Sequence, residues 1–422
     1  MIYLLKNNLQ IVVKLLKLKE TFMKLLLNII GIAVIIGLMF LLSYDRKKVN
    51  IKRMFIALVV QFIIAGLLVK LPQGRALIGA VSNGVVKVLS YGSEGIQFVF
   101  GSLGDPAGSS GFIFAFQTLA NIVFISSLVA VLSYTGILGF VVSKIGRFIG
   151  KIFKTSEVET FVAVANMFLG QTDSPILVAK YLNFMTESET MLVLISGMGS
   201  MSVSIIGGYV AMGIPMESLL IASTMVPVGS ILLSKIIYPQ TERFMEIEEI
   251  KIDRKGNNEN ILDAISAGAI DGMNMAMAIG ASLIAIISLV ALINGLFGIF
   301  NLSLETILSY IFAPMGYLMG LEGNEPFIAG ELLGSKLILN EFVAYGKLGP
   351  MLASMSERTG LMLSIALAGF ANLGSIGICI SGISVLCPEK RPVLAKLAFK
   401  AMITGFCVSL LSSLIVGVWL LI

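Results

Sequence analysis

The chain alternates long apolar runs with short polar or basic stretches along nearly its whole length. A helix needs about 20 mostly apolar residues to cross a bilayer. Residues 25–44 form the first such run and residues 54–71 the second, with Arg46, Lys47, Lys48, Lys52 and Arg53 between them. Residues 76–100 are apolar but repeatedly broken by Gly and polar side chains, which predicts an interfacial helix and then a Gly-rich loop over 101–111. Further spans are predicted at 112–136, 190–212, 219–238, 276–300, 361–386 and 401–421. Stretches 137–153, 261–273 and 304–320, the last holding Pro314, are expected at the interface, and 241–260 is the one properly hydrophilic loop.

Two apolar segments depart from this pattern by carrying polar groups at their centres. In residues 158–187 the run Gly170, Gln171, Thr172, Asp173, Ser174, Pro175 sets a carboxylate between two mostly apolar arms. A charge near the bilayer centre costs at least about 2.5–3.5 kcal/mol, so an acidic residue there marks a functional site. The Gly and the Pro break any helix, and backbone freed in this way is tolerated at membrane depth only where it is buried in protein or lines a watery cavity. The segment is therefore predicted to be a re-entrant hairpin. Residues 327–350 carry Glu331, Lys336, Asn340 and Glu341 in the same manner, with Lys336 expected to pair with Glu331 and to stay out of the site. Two of the predicted spans are interrupted, one by Gly197, Gly199, Ser200, Ser202 and Ser204 and the other over 369–377.

Charge orients these elements. If both polar-tipped segments leave by the face they entered, the loops around Arg46, Lys151, Lys255 and Arg391 fall on one side, which the positive-inside rule makes cytoplasmic. Lys6, Lys14, Lys17 and Lys19 then lie outside. Two readings stand for residues 1–22: an interfacial amphipathic helix, or an extension upstream of a start at Met23, which would remove most of the conflict. The order span, amphipathic helix, acid-tipped hairpin, interrupted helix, span runs over 112–238 and again over 276–421, from opposite faces. Inverted repeats with paired discontinuous helices are the signature of secondary transporters, whose site lies at the repeat interface near the midplane. The expected fold is an all-α polytopic membrane protein with about eight transmembrane helices, two re-entrant helical hairpins and interfacial helices. Its expected parts are the N-terminal piece 1–22, scaffold spans over 23–110, a first inverted repeat over 111–260 and a second over 261–422.

Composition agrees and narrows the chemistry. With 57% hydrophobic and 13% charged residues and a mean hydropathy of +0.95, the chain lies far outside the range of soluble domains. The absence of histidine removes Ser/His/Asp and Cys/His catalysis and most zinc chemistry. Cys379, Cys387 and Cys407 lack metal-ligand spacing and predict no disulfide framework. The net charge of +5 is spread over loops, with no basic stretch interleaved with aromatics to bind nucleic acid.

The candidate site holds the carboxylates Asp173 and Glu341 with amides or hydroxyls from Gln171, Thr172, Asn340, Asn372, Ser375 and Ser200. Carboxylates and amides pair with vicinal hydroxyls and with the mixed donor and acceptor edge of a heterocycle, which suits a polar, mostly uncharged ligand. No arginine falls in either tip or interrupted helix, so phosphate and carboxylate substrates are disfavoured. Ile205 and Phe370 offer flat apolar walls. Carbonyls freed by a broken helix, with Asn and Ser oxygens, are hard ligands for a small cation such as Na⁺.

Four motifs carry a resemblance. Gly-Gln-Thr-Asp-Ser-Pro at 170–175, Tyr-Pro-Gln-Thr-Glu at 238–242, Asn-Glu-Phe-Val-Ala-Tyr at 340–345 and Gly-Phe-Ala-Asn-Leu-Gly-Ser-Ile-Gly-Ile at 369–378 resemble the concentrative nucleoside transporters, in the right order, from about Met23 to the C-terminus. The resemblance implies Na⁺-coupled import of nucleosides across the cytoplasmic membrane by a homotrimer whose transport domains move like elevators, with no organic cofactor. It gives base recognition to Gln171, Thr172 and Asp173, with Ile205 and Phe370 against the ring, and ribose recognition to Glu341, Asn372 and Ser375. It maps the sodium ion onto Asn166, Ser200 and the backbone carbonyls of Leu169 and Met201. One departure is Asp173, where the family usually has glutamate. One carbon–carbon bond sets the carboxylate about 1.5 Å farther back, enough to insert a water or change the preferred base. The alternatives are proton coupling through Asp173 or Glu341, a passive nucleoside channel or gate, and an intramembrane hydrolase using the two carboxylates, which the lack of histidine disfavours.

Overall fold

The computed structural model describes residues 2–105, 108, 111–244 and 258–422. Helices make up 82% of it, and no strand occurs among the described residues. This is the architecture a bilayer permits, because a helix satisfies its backbone polar groups within its own segment.

Helices α1 (Ile2–Leu41) and α2 (Ile51–Val69) are followed by α3 (Pro72–Phe100), which starts on proline. A π turn over Ala115–Leu119 feeds α4 (Ala120–Tyr134), and α5 (Ile137–Phe153) follows. The first hairpin comprises α6 (Glu157–Ala165), an irregular tip, the single turn α7 (Asp173–Ile176) and a 3-10 stretch over Ala179–Phe184. Then come the two halves of an interrupted helix, α8 (Glu187–Gly199) and α9 (Val203–Ala211), and α10 (Met216–Ile237). The second repeat has α11 (Ile261–Phe297), α12 (Leu304–Leu318), the hairpin α13 (Glu325–Ile338) and α14 (Glu341–Met351), the interrupted pair α15 (Glu357–Ala366) and α16 (Leu373–Leu386), and α17 (Arg391–Trp419).

Polar residues at the segment edges start these helices. Ser156 with Glu159 and Thr186 with Glu189 close capping boxes on α6 and α8, each satisfying two backbone donors that the first turn leaves free. Asn50, Asn260, Ser303, Asn340, Ser356 and Asn372 accept from first-turn amides in the same way.

Among the described residues, seven helices are long and apolar enough to cross a membrane. The expected span over 361–386 is interrupted as foreseen, into α15 and α16, the second half being apolar but only 14 residues long. Two expected boundaries are absent. Helix α1 runs through residue 22 without a break, and α11 runs through 274, joining the expected interfacial piece to the span. Its 37 residues measure about 55 Å at about 1.5 Å per residue. Glycines hold it against α4: a Cβ on Gly268 would stand 2.7 Å from the Ala130 Cβ, and one on Gly272 2.8 Å from the Val123 Cα. Small residues permit this close approach inside a bilayer, where dispersion contacts replace the hydrophobic effect. Residues 245–257 of the hydrophilic loop, and Lys255 with them, lie outside the described residues.

The core is built on α8, α10 and α17, whose apolar windows are 94%, 83% and 94% buried, against 6% for α11. The ends of the bundle decide how the hairpins are oriented. At one end Tyr44 N donates to Ile237 O at 2.9 Å, and Lys235 meets Glu159 at 2.6 Å. Gln240 donates to Thr186 Oγ1 at 3.1 Å, and Lys396 pairs with Glu187 at 2.7 Å. Tyr238 also donates to Glu187, at 2.5 Å; burial, then this hydrogen bond, holds its phenol above the ordinary range. Both ends of the first hairpin therefore sit at the same face, beside the basic stretches near Arg46, Lys154 and Lys390. Lys24 lies 17 residues before Leu41 on α1, about 26 Å away, and marks the other end, where it pairs with Glu322 at 3.1 Å. There Thr359 donates to Glu325 at 3.0 Å and Arg358 to Met319 O at 2.9 Å, so the second hairpin opens on the opposite face.

Candidate functional site

The two interrupted helices cross at their breaks. Beyond Gly199 the chain is extended at Ser200 (φ −103, ψ 173), and Phe370 N donates to Ser200 O at 3.0 Å. Gly369 has φ +97, and a Cβ there would meet Gly199 O at 2.5 Å. Only glycine fits both the left-handed backbone and that contact.

The hairpin tips reach this crossing from either side. From the first, Gln171 is buried, with Nε2 3.5 Å from Ser375 Oγ and Oε1 accepting from Cys379 Sγ at 3.2 Å. Ser375 Oγ donates to Phe370 O and lies 3.3 Å from Asn372 Oδ1. Asn372 caps α16 through Oδ1 and donates from Nδ2 to Glu341 Oε2 at 3.4 Å. Glu341, the first residue of α14, accepts on its other oxygen from Tyr209 at 3.0 Å. A line of polar contacts thus joins the tips through Gln171, Ser375, Asn372 and Glu341. Asp173 stands beside this line: it accepts from Thr172 at 3.1 Å, while the Thr172 methyl packs over Gly382. Ile205 is buried on α9, and Phe370 is half-buried at the break.

Asn166, Leu169, Ser200 and Met201 are all buried next to this crossing. Asn166 Nδ2 donates to Ser196 Oγ at 3.1 Å, whereas its Oδ1 is buried with no hydrogen-bond partner. Leaving an acceptor unmatched costs about 1–3 kcal/mol, and a cation beside it would remove that cost. Ser200 Oγ donates to Gly197 O at 3.1 Å and keeps its lone pairs available. The donor set is all oxygen, as a hard cation requires.

Asn340 caps α14 through Val343 N at 2.9 Å, because the second arm must begin there and its first amides need an acceptor. One expectation is corrected. Lys336 does not pair with Glu331, which instead meets Lys347 at 2.8 Å; its ammonium points into the core. Tyr209 and Cys379 join the network unforeseen. Each follows a recognised candidate by four residues on its helix, Ile205 and Ser375 respectively, and that spacing puts them on the same face. A separate cavity of about 220 Å³, lined by Arg53, Lys154, Lys235 and Gln240 among others, shares no residue with the tips.

Three family models cover most of the chain: Na⁺ dependent nucleoside transporter N-terminus on residues 30–103, nucleoside recognition on 115–216, and Na⁺ dependent nucleoside transporter C-terminus on 218–417. The nucleoside permease NupC of Helicobacter pylori is 35% identical over 411 residues, covering 94% of this chain and 98% of that protein. The chain belongs to the concentrative nucleoside transporter family. A transporter of Haemophilus influenzae is 39% identical over the same fractions of both chains. The solved structure of CNTnw in an inward-facing substrate-bound state matches this transporter with a TM-score of 0.89 at 38% identity, covering 94% of this chain and 99% of that one. An outward-facing variant of CNTnw matches at 0.90. This member of the family is a multi-pass membrane transporter and not an enzyme.

Proposed function

We propose that this transporter imports nucleosides across the cytoplasmic membrane in symport with Na⁺. The observation that carries the reading is the polar line Gln171, Ser375, Asn372, Glu341 between hairpins that open on opposite faces, next to the unpartnered oxygen of Asn166. Gln171, Thr172 and Asp173 contact the base, with Ile205 and Phe370 against its ring. Glu341, Asn372 and Ser375 hold the ribose hydroxyls. Asn166, Ser200 and the carbonyls of Leu169 and Met201 hold the ion, which orders the first tip before the nucleoside docks.

Coupling requires that the ion interact differently with the loaded and empty states, since equal interaction shifts nothing. One charge moving inward through about 100 mV contributes roughly 2.3 kcal/mol. At about 1.4 kcal/mol per tenfold, this supports roughly fortyfold accumulation before the ion's own gradient is added. The hairpins and interrupted helices move together against a scaffold of outer helices, as an elevator in each subunit of a homotrimer. In support, α11 is fully buried only along Ala264, Gly268, Gly272 and Ala276, with Met275, Ile279 and Leu283 partly covered, and leaves most of its apolar surface exposed. The test is uptake of labelled uridine into vesicles at fixed pH with sodium replaced by choline. Uptake is expected to collapse; undiminished uptake that follows an imposed pH gradient would replace sodium with protons as the driving ion.

A further inference from the structure

Lys336 is fully buried on α13, five residues before Glu341. Its Nζ donates to Ala366 O at 3.0 Å, Ala368 O at 2.6 Å and Ser409 Oγ at 3.2 Å. The Ser409 hydroxyl hydrogen is committed to Ala368 O at 2.5 Å, so its oxygen can only accept from the lysine. Three acceptors call for three N–H donors, which the ammonium has and the neutral amine lacks. The two carbonyls lie at and just beyond the last residue of α15, where a helix gathers partial negative charge. The Phe406 ring adds its face at 5.3 Å. Lys336 is thus a buried positive charge housed by a broken-helix end.

The same place exists in the first repeat. One constant offset in numbering carries the cap Thr186 onto the cap Ser356, the cap Ser202 onto the cap Asn372, Leu169 onto Leu339, Ser196 onto Ala366, and Asn166 onto Lys336. The contacts follow the same register: Asn166 reaches from its hairpin arm to Ser196 in the last turn of α8, as Lys336 reaches to Ala366 at the end of α15. The two positions differ in one respect. Asn166 retains an unmatched buried acceptor, and Lys336 has every donor used.

We infer that Lys336 is a tethered cation, filling in the second repeat the site that a free monovalent cation occupies in the first. The occupant of the first site rests on the sodium reading above. The second hairpin is held permanently in its ion-loaded form, which keeps Glu341 in place without a second ion, and a transport cycle takes up a single cation. Lys336 is a positioning residue, since it acts on the substrate through the hairpin that carries Glu341.

The experiment measures equilibrium binding of radiolabelled sodium to the purified full chain, and the sodium dependence of uptake, for wild type, Lys336→Asn, Lys336→Ser and Lys336→Arg. Wild type and Lys336→Arg are expected to bind one ion per chain. Lys336→Asn, which installs the first repeat's side chain, is expected to bind two, with the Hill coefficient of uptake rising from about 1 toward about 2. Lys336→Ser serves the same purpose should the Asn side chain disturb packing. An unchanged stoichiometry in both neutral variants, or a Lys336→Arg protein that behaves like them, overturns the inference. In a second arm, propylammonium and choline are added to Lys336→Ala during thermal unfolding. Stabilisation by the small amine alone supports the tethered cation, and equal response to both defeats it. A wild type that binds no sodium would sink the sodium reading by itself, and the amine arm would then decide the role of Lys336.

Discussion

Glu341→Gln isolates the charge at the centre of the polar line. Glu341 is 3% exposed and accepts from Tyr209 and Asn372 on separate oxygens. The amide fits this frame in one orientation. Asn372 cannot turn, because its Oδ1 caps Ser375 N at 3.0 Å; the new carbonyl must face it, leaving the NH₂ to Tyr209, whose hydroxyl rotates to accept. The protein's own contacts therefore survive, and the loss falls on the substrate. A hydrogen bond to a charged acceptor contributes about 1.5–3 kcal/mol against about 0.5–1.5 for a neutral one, so two ribose hydroxyls lose about 2–3 kcal/mol together. At about 1.4 kcal/mol per tenfold, affinity falls about thirty- to a hundredfold. The assay is calorimetric titration of the purified variant with uridine and with 2′,3′-dideoxyuridine in saturating sodium. The dideoxy compound binds weakly to wild type and loses nothing more in the variant. Equal losses for both ligands, or wild-type affinity for uridine, would refute the assignment of Glu341 to the sugar.

Asn166→Ala removes the unmatched acceptor and is expected to raise the sodium concentration for half-maximal uptake at least about tenfold, matching about 1.4 kcal/mol, while nucleoside affinity at saturating sodium recovers; an unchanged sodium curve counts against the ion site. Asp173→Glu restores the missing methylene and should shift the ranking of bases in a competition panel more than it shifts maximal uptake, so an unaltered ranking would remove Asp173 from base recognition. Lys235→Met strips the 1% exposed Glu159 of its cation and should destabilise the protein by about 3 kcal/mol, the cost of leaving a buried carboxylate unpaired. Thermal unfolding in detergent reads this loss, Lys235→Met with Glu159→Gln should recover much of it, and an unchanged midpoint in the single variant would mean that water already reaches the pair.

Much of the architecture is legible along the chain because a bilayer imposes a local rule. Apolar runs of a fixed length must be helices, and a polar tip inside one, such as Gln171 to Asp173 or Asn340 to Glu341, must be sheltered by other protein. The order of such segments revealed the inverted repeat. The continuity of α1 and α11 was hidden, since an interface leaves no mark where neither a cap nor a helix breaker stands. Roles within the site were hidden for a different reason. Whether an asparagine caps a helix, as Asn340 does, or also reaches across, as Asn372 does, depends on a partner brought in from elsewhere. Gln171 and Ser375 are 204 residues apart, and Lys336 finds its acceptors 30, 32 and 73 residues away. Such pairings follow from the crossing of two broken helices, a relation in space that no periodicity encodes. The pattern thus determined which segments enter the membrane and where their polar groups lie, and only the packed repeats decided which of those groups meet.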